Sequence, residues 1–233
     1  MDLGRAFTFP FDDEDWVGKL VMVIVWTLVA AIPLIGLVGA AALAGYVVEL
    51  LRNMRRGDEN PLPRWDNLGE KITDGANVLI ASFVYNLGNL LMFCGLLILL
   101  PAMRIGDNGA ASTVALAITC CLSLIMLVYN FAIWPLLAVG TAYYAQSGQI
   151  NAFFQLGRIW NTINRHAGLT GQWIIYTLLA GLLLGLVGSI PCLGWLIGLG
   201  LGLPVQGHLL GQFAQRIDEK PKSKPKPQPR RVR

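Results

Sequence analysis

The chain has 233 residues, of which 55% are hydrophobic and only 14% charged, where an ordinary globular domain carries about 25% charged residues. Its mean hydropathy is +0.55 and the charges cluster between long apolar runs, which excludes a soluble globular domain and predicts an all-α, polytopic helical membrane bundle. The formal charge of +4 is uneven: eight Lys or Arg against Asp218 and Glu219 give residues 216–233 a charge of +6, which leaves −2 on the rest. That is a basic tail and not a basic fold, and no face interleaves Lys and Arg with aromatics as a nucleic-acid binder would.

Residues 1–16 form an acidic and aromatic N-terminal segment, the opposite of the basic start that a secretory signal needs. The run Asp12, Asp13, Glu14, Asp15 offers clustered oxygens to a divalent cation, but it lacks the alternation and glycine of a calcium loop. Its place just before an apolar run favours helix capping and dipole compensation.

The transmembrane domain is expected over 17–215. A membrane-crossing helix needs about 20 apolar residues. The apolar run 17–51 is too long for one and short for two, and Ile32-Pro33-Leu34-Ile35-Gly36 sits near its middle. Proline breaks the backbone ladder and glycine permits a tight turn, so two spans are predicted, about 17–32 and 36–53, the first near the lower limit. A third span follows at 76–100, closed by Pro101, and after a polar loop from Arg104 to Asn108 a fourth at 111 to about 144, kinked at Trp134-Pro135. A fifth, 172–190, and a sixth, 195–213, are separated by Ile190-Pro191-Cys192-Leu193-Gly194, which repeats the Ile-Pro-x-x-Gly turn.

Positive charge tests the count. With six spans and the N-terminus inside, 17 of the 18 basic residues fall on the inner side and only Arg104 outside, the positive-inside pattern of a cell-membrane protein with both termini cytoplasmic. Reading 17–51 as one span gives a poorer split of 15 to 3. Two inner segments read as interfacial: Pro61 to Gly69, with Trp65 as a belt-type anchor, and Phe153 to Trp160, with apolar residues at helical spacing around Arg158. With Trp16 to Lys19 they suggest a threefold repeat of interfacial segment, span, proline turn, span.

Several groups are candidate sites. Arg52, Arg55 and Arg56 end the second span before Gly57, the expected helix stop. Three guanidinium groups there suit an anionic lipid headgroup, and equally an orientation signal, with Glu49 one turn back within pairing reach of Arg52. His208, Gln212 and Gln215 share one face of the last helix. A histidine there could relay a proton, although such groups more often bond across a helix interface. Asn86, Asn89 and Asn130 belong to the same class of intramembrane polar residues. Glycines four apart (Gly181 and Gly185, Gly194 and Gly198, Gly198 and Gly202, Gly207 and Gly211) permit close helix approach, within the chain before a homo-oligomer. The tail 216–233, with Lys220, Lys222, Lys224, Lys226, Arg230 and Arg231 spaced by prolines, cannot bury a core. It is expected to be extended and disordered, binding an anionic leaflet at about 1 kcal/mol per basic residue.

Cys94, Cys120, Cys121 and Cys192 form no CxxC pair and lie far from both histidines, so no zinc site or other cofactor is expected. All four fall in the outer half of the bundle, where a disulfide such as Cys94 with Cys121 is compatible with their placement.

Four stretches, Phe9-Pro10-Phe11-Asp12-Asp13-Glu14-Asp15-Trp16, Pro61-Leu62-Pro63-Arg64-Trp65-Asp66, Ile190-Pro191-Cys192-Leu193-Gly194-Trp195 and Gly207-His208-Leu209-Leu210-Gly211-Gln212, together bracket nearly the whole chain except the tail. In their order and spacing the chain resembles the prokaryotic membrane-protein family catalogued as domain of unknown function 4013. The resemblance implies a polytopic helical membrane protein and supplies no catalytic residues to carry over.

The middle of every predicted span lacks Asp, Glu, Lys and Arg, which pumps and coupled transporters usually need. No histidine lies near Ser82, Thr119 or Ser123 to activate a hydroxyl. The expectation is therefore a non-catalytic membrane scaffold with a lipid- or protein-interaction role. The alternative is a small-solute transporter or channel subunit, its proline-glycine turns serving as broken helices with His208 and the asparagines facing a path.

Overall fold

The computed structural model describes residues 1–105, 109–190 and 193–218. Every regular element among them is helical, in the order α1 (Leu3–Thr8), a 3₁₀ turn (Phe9–Asp12), α2 (Trp16–Ala30), α3 (Gly36–Arg56), α4 (Leu68–Ile105), α5 (Gly109–Ser147), a second 3₁₀ turn (Ile150–Phe154), α6 (Leu156–Arg165), α7 (Ala167–Gly188) and α8 (Leu193–Asp218). The six long helices pair as three hairpins, α2–α3, α4–α5 and α7–α8, with α3 packed against α2, α4 and α8. A short helix and a 3₁₀ turn precede α2, and a 3₁₀ turn and α6 precede α7, whereas the segment before α4 has no regular element, so the threefold repeat is incomplete.

Four helices are long and apolar enough to cross a membrane, over Gly36–Arg56, Leu68–Ile98, Leu116–Ser147 and Ala167–Gly188, while Trp16–Ala30 is apolar but shorter. Pro101 does not close the third helix, which runs on to Ile105, and α5 and α8 likewise continue through Pro135 and Pro204. Proline removes only its own N–H, and a helix in apolar surroundings keeps the bonds on either side.

The first Ile-Pro-x-x-Gly turn works differently from the sequence expectation. Its left-handed residue is Leu34, at φ 69°, and not Gly36. Gly36 is already the first residue of α3, and a Cβ there would overlap the Ala30 carbonyl across the hairpin. Glycine here allows close approach, whereas the positive φ falls on a leucine at the usual cost of a Cβ in that region. In the second turn Pro191 and Cys192 lie outside the described residues, as does the tail with Lys220, Lys222, Lys224, Lys226, Arg230 and Arg231.

The tightest crossing is that of α3 and α4. A Cβ on Gly45 would run into the Lys71 carbonyl, and one on Gly75 into that of Ala41, so backbone lies on backbone. From this crossing α3 returns to its turn at Gly36 in nine residues, about 14 Å of helix, while α4 runs 30 residues from Gly75 to Ile105, about 45 Å. Along the helix axes the α4–α5 hairpin therefore reaches about 30 Å beyond the α2–α3 turn. Among the described side chains none from 82 to 98 or from 113 to 132 is buried. This apolar surface, with Leu91 and Val128 about 70% exposed, is what a hairpin bathed in lipid presents.

The core sits in the other half. One cluster joins Val48, Leu51, Val139, Phe153, Trp173, Leu209 and Phe213, and a second joins Phe9, Val23, Tyr46, Leu50, Met54 and Leu62. Gly207 and Gly211 pack on Leu50 and Met54 of α3, and Gly198 lies near Gly188, whereas a Cβ on Gly185 or Gly202 would meet nothing within 4 Å.

Candidate functional site

The charged residues gather at the end of the bundle that holds the termini, and they are spent largely on one another. Arg52 grips Asp74 of α4 with two guanidinium nitrogens, at 2.5 and 3.2 Å, the fork geometry that suits a carboxylate. Its Nε donates to the Ala145 carbonyl of α5 at 3.2 Å, and Glu70 stands 3.6 Å away. Asp74 also accepts from the Tyr144 hydroxyl at 2.7 Å, and Asn77 donates to that hydroxyl at 2.8 Å. One residue of α3 thus ties α4 and α5 together.

Glu49 does not pair with Arg52. It takes Lys71, at 2.5 Å, whose ammonium also donates to the Asp66 carbonyl and is 2% exposed. The α3–α4 crossing puts Lys71 between Glu49 and the chain, while Arg52, one turn on, points at Asp74. Arg55 donates to the Ala142 carbonyl at 2.5 Å and lies 2.8 Å from Asp218 at the end of α8. Arg56 is the most exposed of the three, with its side chain 64% exposed, bonded to Asn53 at 2.7 Å and 3.9 Å from the Asp58 carboxylate. Gly57, at φ 78°, ends α3 as expected. Arg52, Arg55 and Arg56 line an open depression of about 1090 Å³ with Glu70, Gln215 and Asp218. Four basic residues (Arg52, Arg55, Arg56, Lys71) meet four acidic ones (Glu49, Glu70, Asp74, Asp218), so the cluster is neutral as a whole.

The N-terminal segment joins the same end. Asp12 pairs with Arg5, and buried Asp13 pairs with Lys19 at 2.5 Å while accepting from the Asp15 N–H. The acidic run is therefore held by cations and a turn, and Asp15, at the N-cap of α2, makes no side-chain capping bond. Trp65 is no outward anchor: its ring stacks on Tyr46 and Trp26, and its Nε1 donates to the Lys19 carbonyl at 3.0 Å. In α6, Ile159 is buried and Trp160 is 57% exposed, the split of a helix lying on a surface. Arg158 covers the ring of Tyr143 at 4.1 Å.

The intramembrane polar residues divide into two groups. The His208 ring stacks on Phe9 at 4.2 Å and contacts Gln212. The Gln212 amide exchanges two bonds with the backbone of Asp2, at 2.6 and 2.9 Å, and Gln215 donates to the Met54 carbonyl. This face of α8 thus joins elements together. Asn89 and Asn130 form a reciprocal amide pair between α4 and α5, both bonds 3.0 Å, with Asn86 attached to Asn89 at 2.8 Å. Asn86 and Asn130 stand on the exposed face of the long hairpin. Cys94, Cys120 and Cys121 are free thiols on exposed faces, so the Cys94–Cys121 bridge is not formed, and Cys192 lies outside the described residues.

Sequence reasoning missed Asp74, Tyr144 and Asn77, and counted Lys71 only as a positive charge in a loop. A signal was present in Glu70, Lys71 and Asp74, charged residues at helical spacing leading into an apolar run. Their partners lie 22 to 70 positions away and nothing local marks them.

A helical, polytopic, membrane-embedded protein with a self-neutralised polar end is the class that this arrangement defines. The chain belongs to the family described as Protein of unknown function (DUF4013), whose profile matches residues 20–194. No curated protein and no solved structure matches it.

Proposed function

We propose that this protein is a non-catalytic scaffold of the cell membrane that organises lipid at the cytoplasmic face, with both termini cytoplasmic and the six long helices inserted as three hairpins. The observation that carries the reading is the unequal reach of the hairpins. With the charged cluster at the membrane surface, α4 and α5 have about 45 Å of helix ahead of them, enough for the roughly 30 Å hydrocarbon core. The α2–α3 hairpin has far less, and its turn, Ala30 to Gly36, contains no polar side chain. A body broad in one leaflet and narrow in the other orders the lipids around it.

The charged end supports an interaction role over a catalytic one, because Arg52, Arg55, Lys71, Asp74 and Asp13 are each engaged by protein partners. Headgroups are left to Arg64, Arg158 and Arg165, all exposed at this end, and to the tail that follows Asp218 in the sequence. Anionic headgroups are thus the proposed partner, drawn by basic residues that the neutral cluster does not consume.

The test is native mass spectrometry of the gently extracted protein, full-length and truncated after Asp218, in mixed phosphatidylglycerol and phosphatidylcholine. Retaining Asp218 keeps its contact with Arg55 intact. Phosphatidylglycerol retained by the full chain and lost on truncation is the expected result. Equal retention of both lipids by both forms would overturn the proposal.

A further inference from the structure

Between α5 on one side and α7 and α8 on the other lies a second cavity, of about 580 Å³, within the 300 to 1,000 Å³ typical of small-molecule pockets. It is separate from the charged end, and its wall contains no charged side chain. Trp134 and Trp173, with ring centroids 5.3 Å apart, form part of that wall. Leu178 and Leu182, 51% and 61% exposed, stand beside it on the outer surface of α7, so the cavity opens sideways to where lipid lies.

Three residues of the wall hold buried polar atoms that make no hydrogen bond: Trp173 Nε1, Thr177 Oγ1 and Gln206 Oε1. Trp173 is 3% exposed and Thr177 9%. Gln206 is fixed by its other amide atom, Nε2, which donates to the Thr177 carbonyl at 3.1 Å. Buried polar groups without partners are costly, and three in the wall of one apolar cavity point to an occupant. Their chemistry describes it. The indole N–H only donates, the amide oxygen only accepts, and the threonine hydroxyl does either. An ether or ester, which only accepts, complements the indole N–H and the threonine hydroxyl but leaves the amide oxygen without a donor. A hydroxyl complements all three, and the uncharged wall excludes an ionised headgroup.

We propose that this cleft binds a neutral lipid carrying a free hydroxyl, a long-chain alcohol or an acylglycerol, which slides in from the bilayer between α5 and α7. Its hydroxyl accepts from Trp173, donates to Gln206 and shares the Thr177 hydroxyl after small rotations of those side chains, while its chain lies along Trp134 and Leu178.

The experiment is photolabelling of the full-length protein in phosphatidylcholine nanodiscs with a diazirine-bearing hexadecanol, the labelled peptides being mapped by mass spectrometry. Label is expected on α5 and α7 beside the cavity. Unlabelled hexadecanol should displace it and methyl palmitate should not. Dioleoylglycerol competing better than hexadecanol identifies an acylglycerol as the natural occupant, and the reverse order identifies a simple alcohol. The double variant Trp173→Phe with Gln206→Leu keeps the shape and removes a donor and an acceptor. It should lower labelling about tenfold, the loss expected for two ordinary hydrogen bonds. Because Gln206→Leu also loses the bond to the Thr177 carbonyl, Gly181→Phe provides a second route. The nearest atom to a Cβ at Gly181 is Gln206 Nε2, at 3.8 Å, so a side chain fits there and fills the cavity. It should abolish the cavity label and leave labelling of the exposed α4–α5 surface unchanged. Labelling unaffected by either variant, or equal competition from methyl palmitate, would overturn the proposal. Neither result bears on phosphatidylglycerol retention at the charged end.

Discussion

Arg52 and Asp74 join three helices through one pair of side chains, which are 25% and 13% exposed. Removing one partner leaves the other charge without its counter-ion in a partly desolvated place, at a cost of about 2–4 kcal/mol. Asp74→Asn should therefore lower the thermal midpoint of the detergent-solubilised protein clearly, and adding Arg52→Met should restore much of the loss, since a matched apolar pair avoids the stranded charge. A double variant as unstable as the sum of the singles would show that the two residues act independently. At this scale the sequence was informative about residue type and weak about partners. The cluster of arginines was legible, because three charges closing an apolar run stand out. Its neutralisation was not, because Asp74, Tyr144 and Asp218 reach it only through the folded chain.

At the scale of the element, helix identity and position were read well, since apolar runs bounded by charge mark inserted helices directly. Proline is a weaker stop than the sequence suggests, and α4 runs through Pro101 to Ile105. The turns were read for the wrong glycine property: the hairpin needs Gly36 for closeness, and the backbone places its left-handed residue at Leu34. Leu34 is 94% exposed at the tip of an apolar turn. Counted from the α3–α4 crossing, it lies too shallow to reach the far surface of a core of about 30 Å. In a cysteine-free background, Leu34→Cys should resist a membrane-impermeant maleimide applied from either side, whereas Gly109→Cys, at the start of α5, should react from outside. Full labelling of Leu34→Cys from outside would restore six complete spans and remove the argument for unequal hairpins.

Across the whole molecule, the N-terminal segment is held to the last helix. Gln212 of α8 clasps the backbone of Asp2, and His208 lies under Phe9, 4.2 Å from its ring. These contacts pin α1 and the following 3₁₀ turn over the polar end of the bundle. Gln212→Leu should raise amide hydrogen exchange across residues 2–12 by several fold, with exchange in α3 and α7 unchanged. Loss of protection throughout the bundle would instead make Gln212 a core residue and the clasp incidental.

Composition and charge distribution by themselves determined that this is a helical membrane protein, roughly where its helices lie, and which end collects positive charge. These follow from transfer between water and hydrocarbon, which acts on each residue independently of fold. Only the tertiary structure decided that the arginines face carboxylates, that one hairpin outreaches its neighbours, and that Trp173, Thr177 and Gln206 meet around one cavity. Those outcomes depend on how closely helix backbones approach and where they cross, and a run of apolar residues carries no record of its partner.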